Sequence, residues 1–197
     1  AATTALSVVY KDTGEVVVPL YRFPRPAYHT FIDTAIIAKA PWILFQAGIG
    51  DTLAKFFECH FASRGDRLTF SDAMGRSISN MCYEPQIQNA VQALKDVKSG
   101  IDSVAVTEVI LANIVATGLV STHVQSIYNT ALAHPVYYGL EVYPGFSEDN
   151  LHGNAVAYGI LIQLIVDKEL EKAREFKAFL QALGIRTTLK EMNIAAL

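Results

Sequence analysis

Apolar residues recur along most of this chain three and four positions apart, the period of a helix with one buried face. The beginning is different. Residues 5–19 alternate β-branched and polar positions about Lys11-Asp12-Thr13-Gly14, and an Asp/Gly turn between alternating runs predicts a β-hairpin. Its strands are expected at Leu6–Tyr10 and Glu15–Leu20. Pro24 and Pro26 then interrupt regular structure, and Thr30–Asp33 reads as one more short strand.

From Asp33 onward the pattern is helical. Asp33 suits the N-cap of a short helix, Thr34–Ala38, stopped before Pro41. A second helix is expected to start around Gly50-Asp51, with Leu53, Phe56, Phe57 and Phe61 at helical spacing. Ser71–Leu94 has room for one or two helices, with Met74, Ile78, Cys82 and Ile87 on an apolar face. Ser103–Leu119, Val124–His134 and Asn154–Leu170 follow as apolar helices. Leu170–Leu183 is polar and ends at Gly184, in the position of a C-cap, and Lys190–Leu197 reads as a last short turn. The irregular stretch Glu141–Leu151 holds Pro144, Gly145 and a Ser-Glu-Asp-Asn run, then delivers His152 to the start of an apolar helix. Long loops inside compact helical domains tend to carry function.

Composition narrows the class. A hydrophobic fraction of 51% and a mean hydropathy of +0.26 over 197 residues imply an extensively buried core, in one domain or one large domain with a piece of another. The longest uninterrupted apolar run, Ala155–Val166, is 12 residues, against roughly 20 for a membrane span, so no span is expected. Net charge is −3 and pI about 5.9, with no basic stripe, which argues against nucleic acid as a partner. Cys59 and Cys82 fall inside apolar patterns, away from metal-finger spacing, and read as reduced, buried thiols of a cytoplasmic protein. No signal-peptide pattern is visible, and Ala1-Ala2-Thr3-Thr4 reads as a chain entered partway through an element.

Five histidines are candidates for chemistry. His29, His60 and His123 read as structural, on a proline-rich loop, a helix flank and near a helix start. His134 precedes Pro135 and His152 precedes Gly153, so both stand where irregular backbone meets apolar helix. Asp51 follows Ala47-Gly48-Ile49-Gly50 and enters a helix, where an N-cap is its ordinary role. The glycines would admit a close backbone or ligand, but they do not spell a dinucleotide fingerprint. Two imidazoles and one carboxylate make a three-ligand set with one coordination position open, as in catalytic zinc sites. With 83 residues between Asp51 and His134 and 18 between His134 and His152, spacing alone leaves the structural and metal readings both standing.

The wording of the chain goes further. Ala47-Gly48-Ile49-Gly50-Asp51-Thr52-Leu53-Ala54-Lys55-Phe56-Phe57-Glu58 closely resembles the Gly-Asp-Ala-Leu-Ala-x-x-Phe-Glu segment of the glycerol dehydrogenase family, within the iron-dependent alcohol dehydrogenase and dehydroquinate synthase group. Similar stretches follow in order: Thr4–Tyr10, Asp33–Pro41, Ala131-Leu132-Ala133-His134 with Gly139-Leu140, and Leu151-His152-Gly153 with Val156-Ala157-Tyr158-Gly159 and Gln163-Leu164. The resemblance implies a mainly α chain. Residues 33–197 would form an all-helical metal- and substrate-binding domain, and residues 1–32 a hairpin and connector from the edge of an α/β nucleotide-binding domain outside these residues. It implies Asp51, His134 and His152 as catalytic ligands of Zn2+ or Fe2+, and Thr4, Leu6 and Tyr10 as positions lining the nicotinamide side of an NAD or NADP site. The implied reaction is reversible oxidation of glycerol or a similar vicinal diol, in a homo-oligomer whose helical half is inactive alone.

Two departures stand out. Tyr137 replaces the second histidine of the family's His-x-x-His, which puts a tyrosine at the substrate pocket. The loop before His152 is also slightly longer and acidic. Reduction of 2-oxo acids or other carbonyls on the same site is therefore the nearest alternative. A cyclase of the dehydroquinate synthase type needs cations for a phosphate, and none lies between His134 and His152. A non-catalytic helical module is the remaining alternative.

Overall fold

The computed structural model describes residues 3–11 and 16–194, apart from the side chains of residues 8, 10 and 16–20. Strands β1 (Leu6–Tyr10) and β2 (Val16–Arg22) pair antiparallel, with Leu6 opposite Arg22 and Tyr10 opposite Val16. The hairpin is as expected, with β2 running to Arg22. The expected turn residues Asp12, Thr13 and Gly14 and the strand start Glu15 lie outside the described residues. Thr30–Asp33 is irregular rather than a strand, and Phe31 is almost fully exposed. With no neighbouring strand among the described residues to pair with, alternation alone does not make one.

Helix α1 (Thr34–Ala38) has the expected cap, the Asp33 carboxylate accepting the Ile36 N–H at 3.2 Å. Helix α2 (Trp42–Ala62) overturns the start expected at Gly50. Pro41 opens it, where a missing N–H costs nothing, and Asp51 lies in its middle rather than at a cap. Ser71–Leu94 resolves into α3 (Phe70–Ile78) and α4 (Asn80–Lys98), broken at Ser79, while α4 continues through Pro85.

The stretch expected as Ser103–Leu119 is α5 (Val104–Leu111), a π-helical turn (Ala112–Ala116) and α6 (Thr117–His123). The Thr3 hydroxyl donates to the Ile114 carbonyl in that turn at 2.6 Å, fastening the N-terminal segment to the helices. By length and composition Val104–His123 is apolar enough to cross a membrane, with 39% of its most apolar window buried. The expectation of no such helix rested on uninterrupted runs, and Asn113 and Thr117 punctuate this one. Both polar groups face inward partners: Asn113 accepts from Gln86 at 2.7 Å, and Thr117 meets Thr52 at 3.5 Å.

Val124–His134 is not one helix. It contains α7 (Ser126–Asn129) and a non-helical link, and α8 (Ala133–Glu141) begins one residue before His134. Pro135 does not end a helix at His134: it sits in the first turn of α8, where its ring and absent donor are tolerated. The Glu141–Leu151 loop holds a one-turn helix, α9 (Phe146–Asp149), with Phe146 buried beneath it. Helix α10 (His152–Val166) starts two residues before the expected Asn154, taking His152 as its first residue, and stops short of Leu170. Helix α11 (Leu170–Leu183) closes at Gly184, whose φ of 74° and the Ile185 N–H to Leu180 O bond at 2.9 Å form the expected C-cap. Lys190–Asn193 is a turn, and the residues after Ile194 lie outside the description.

The core is organised on α2 and α10. Ile49, Leu53 and Ala54 of α2 are buried with Val156, Ile160, Leu161 and Leu164 of α10, and each large aliphatic side chain stabilises the fold by about 1.5–3 kcal/mol. The backbones cross nearly in contact. A Cβ on Gly153 would clash with the Ala47 carbonyl, and one on Gly159 with the Ala133 backbone. These crossings bring α2, α10 and α8 together beside Asp51, His152 and His134. A second cluster holds Cys59, Cys82, Val120 and Tyr128. Both cysteines are free and buried as expected, and burial pushes the Cys82 thiol up to about 12.

Candidate metal centre

Asp51 comes from the middle of α2, His134 from the first turn of α8 and His152 from the first residue of α10. Asp51 Oδ1 lies 3.4 Å from His134 Nε2 and 3.6 Å from His152 Nε2. One donor atom from each of the three lies within 4.8 Å of the others. Two ligands at 2.0–2.1 Å on a tetrahedral cation are separated by about 3.3 Å, so the aspartate–histidine edges fit one shared ion. Asp51 Oδ1 is shielded from solvent and, among the described residues, meets the two imidazoles without a hydrogen bond to either, an expensive arrangement for a carboxylate oxygen unless a cation completes it. Two imidazoles and one carboxylate suit Zn2+ or Fe2+.

The site has a dry side and an open side. The His134 side chain is 9% exposed, whereas those of Asp51 and His152 are 40% and 43% exposed. Burial disfavours the Asp51 carboxylate, but His134 and His152 outweigh it and hold its pKa well below the usual range. Burial likewise opposes charge on His134, yet Asp51 and Glu58 on its two ring nitrogens raise it to about 9.

Glu58 is the residue that sequence reasoning passed over. Its side chain is completely buried. Oε2 lies 2.5 Å from His134 Nδ1, and Oε1 accepts the backbone N–H groups of Ala131 at 2.8 Å and His134 at 3.1 Å. Burial pushes this carboxyl up, but His134 and the two N–H donors outweigh it and lower the pKa. A signal existed in the chain: Glu58 stands seven positions after Asp51, on the same helical face, between Phe57 and Cys59.

Tyr137 packs its ring edge-on to His152, with centroids 4.4 Å apart, and donates to Glu141 at 2.6 Å. The acidic loop does structural work. Arg186 donates to the Asp149 backbone carbonyl and to the Asn150 side-chain oxygen, the Asp149 carboxylate accepts from Asn193 at 2.8 Å, and Asn150 donates to the Met192 carbonyl at 3.2 Å. Leu6 lies on β1, away from the triad's contacts, and lines a crevice of about 400 Å3 with Arg22, Ser121, Thr122, Gln125 and Asn129. Thr4 Oγ1 is shielded and has no hydrogen-bond partner among the described residues, and the Tyr10 side chain lies outside them. Lys55, one turn after Asp51, donates at 3.2 Å to Asn129, which lines that crevice. Of the remaining histidines, His60 accepts from Arg76 at 3.5 Å, the His123 carbonyl accepts from Ser71, and His29 is exposed.

No family model matches the chain. It is 31% identical over 199 residues to a glycerol dehydrogenase from Pseudomonas putida, covering 98% of this chain and 53% of the relative. Hydroxycarboxylate dehydrogenase A of Escherichia coli is 31% identical over 195 residues, with the same coverages of 98% and 53%. In three dimensions the chain resembles the crystal structure of glycerol dehydrogenase from Schizosaccharomyces pombe, with a TM-score of 0.85 and 28% identity over 100% of this chain and 50% of that one. The chain spans about half the length of the curated relatives it matches. Over that half, in sequence and in fold, it is a homologue of the glycerol dehydrogenases.

Proposed function

We propose that this chain supplies the metal half of an NAD- or NADP-linked oxidoreductase that interconverts glycerol, or a similar vicinal diol, and the corresponding ketone. The carrying observation is the convergence of Asp51, His134 and His152 on one point from three helices. When bound, the divalent cation supplies Lewis acidity at the substrate hydroxyl and the nicotinamide supplies a hydride acceptor. The protein's own residues do the rest. Asp51 offsets one positive charge, His134 is held rigidly on the dry side, and His152 and Asp51 leave an approach from solvent. Tyr137 forms the wall behind His152. The nucleotide is assigned to a partner domain of the kind that the additional length of the relatives would provide, with residues 1–32 at its edge and Thr4, Leu6 and Tyr10 toward the nicotinamide.

His134→Ala in the intact protein tests this reading. It should abolish stoichiometric zinc binding, read by elemental analysis, together with diol oxidation. Unchanged zinc content would overturn the assignment.

A second reading, reduction of 2-oxo acids on the same site, is favoured by Lys55. Its ammonium is half-buried one turn from Asp51, and its hydrogen-bond partner is the neutral Asn129, so it is placed to meet a substrate carboxylate. Lys55→Met separates the two: a raised KM for 2-oxo acids with the KM for diols unchanged supports the anionic substrate. Equal effects on both would remove it.

A further inference from the structure

We infer that Glu58 is the positioning residue of this metal centre, holding His134 by Nδ1 so that Nε2 faces the shared point as a bare lone-pair donor. The inference rests on the metal reading above and adds a residue to it.

A neutral imidazole carries one N–H, and which nitrogen bears it decides whether the ring can ligate through the other. Left free, the two tautomers differ little in energy and the ring can turn. Glu58 removes both freedoms. Its Oε2, 2.5 Å from Nδ1, can only accept, so the proton is fixed at Nδ1. Its Oε1 takes the N–H groups of Ala131 and His134 and fixes the backbone that carries the ring into α8. Full burial keeps water from competing, so the bonds act at their stronger, low-dielectric value. The charge also counts: Glu58 and Asp51 together balance a divalent cation. Ligating histidines are commonly held in this way by a carboxylate, and losing that partner costs about 10–100-fold in metal affinity.

Three donors converge on Glu58, the Ala131 N–H, the His134 N–H and His134 Nδ1–H. Glu58→Gln keeps the volume but replaces one acceptor by an NH2 group. Whichever way the amide turns, it either opposes backbone N–H groups or drives the His134 proton to Nε2, where ligation is lost. Glu58→Asp keeps the charge on a shorter arm.

The test measures Zn2+ affinity by chelator competition, the visible spectrum of the Co2+-loaded protein and far-UV circular dichroism, on the intact protein and both variants. The expected order of affinity is Glu58, then Asp, then Gln, with Gln weaker than wild type by about 10–100-fold at unchanged helicity and with an altered Co2+ spectrum. A purely structural clamp would change the melting temperature but not the Co2+ spectrum of the folded protein. A folded Glu58→Gln protein with wild-type Zn2+ affinity and Co2+ spectrum would overturn the inference. Should Glu58→Gln not fold, 15N spectra of zinc-loaded wild type decide: a proton on His134 Nδ1 supports it, and ligation through Nδ1 refutes it. If wild type binds neither ion, and His134→Ala behaves the same, the metal reading itself fails and this inference falls with it.

Discussion

Tyr137 shows how a single side chain divides into two roles. Its ring supports His152 and its hydroxyl donates to Glu141, so two substitutions separate them. Tyr137→Phe loses one hydrogen bond, about 1 kcal/mol of stability in urea unfolding, and leaves zinc affinity within twofold. Tyr137→Ala removes the ring contact as well, worth about 0.5–1.5 kcal/mol, and should weaken zinc binding by up to about tenfold. Equal zinc affinities in the two variants would show that the ring does not hold His152. At this scale the candidate ligands could be named from the chain, because their wording resembles a known family. Glu58 was not singled out: its place on the face of Asp51 is legible in the chain, but its role depends on a contact with a residue 76 positions away.

Among the elements, the α2–α10 crossing sets the site. Gly153 of α10 lies against the Ala47 carbonyl of α2, and the residues next to this crossing are Asp51 and His152. Gly153→Ala must push the helices apart, at about 1–3 kcal/mol, and should weaken zinc binding in parallel. Gly139→Ala in α8 is the control. Nothing surrounds that position, and its backbone is an ordinary helical one, so alanine should be neutral or stabilising by up to about 1 kcal/mol. Equal destabilisation of both variants would refute the packing argument. The same crossing explains why the sequence reading began α2 at Gly50. Glycine lowers helix propensity, so Gly48 and Gly50 read as a break, while the gain from close helix packing exists only once α10 is in place. His134-Pro135 misled for a related reason: proline ends a helix from inside and is welcome at its start, and local pattern does not say which.

Across the whole molecule, Asp72 joins regions distant in sequence. Its carboxylate accepts from the Thr69 hydroxyl at 2.6 Å and from the Gln125 N–H and side-chain amide at 2.8 Å, tying the start of α3 to the link between α6 and α7. The Thr69 bond, and then those from Gln125, hold its pKa below the usual range. A carboxylate whose folded pKa is depressed adds stability above its unfolded pKa, near 3.9, and loses it as pH falls through the folded value. Asp72→Asn should therefore lower Tm at neutral pH and flatten the fall in Tm below about pH 4; a profile parallel to wild type would rule this out. By itself the sequence determined the helical class, the hairpin, the buried thiols and the end of α11 at Gly184, all of which follow from periodicity and residue-specific backbone preferences acting over a few positions. The family wording named three candidate ligands without placing them. Only the tertiary structure decided that Asp51 lies mid-helix, that His134 opens a helix, and that Glu58 meets it, because each follows from helices packing across tens of residues, where burial and close backbone contact outweigh local propensity.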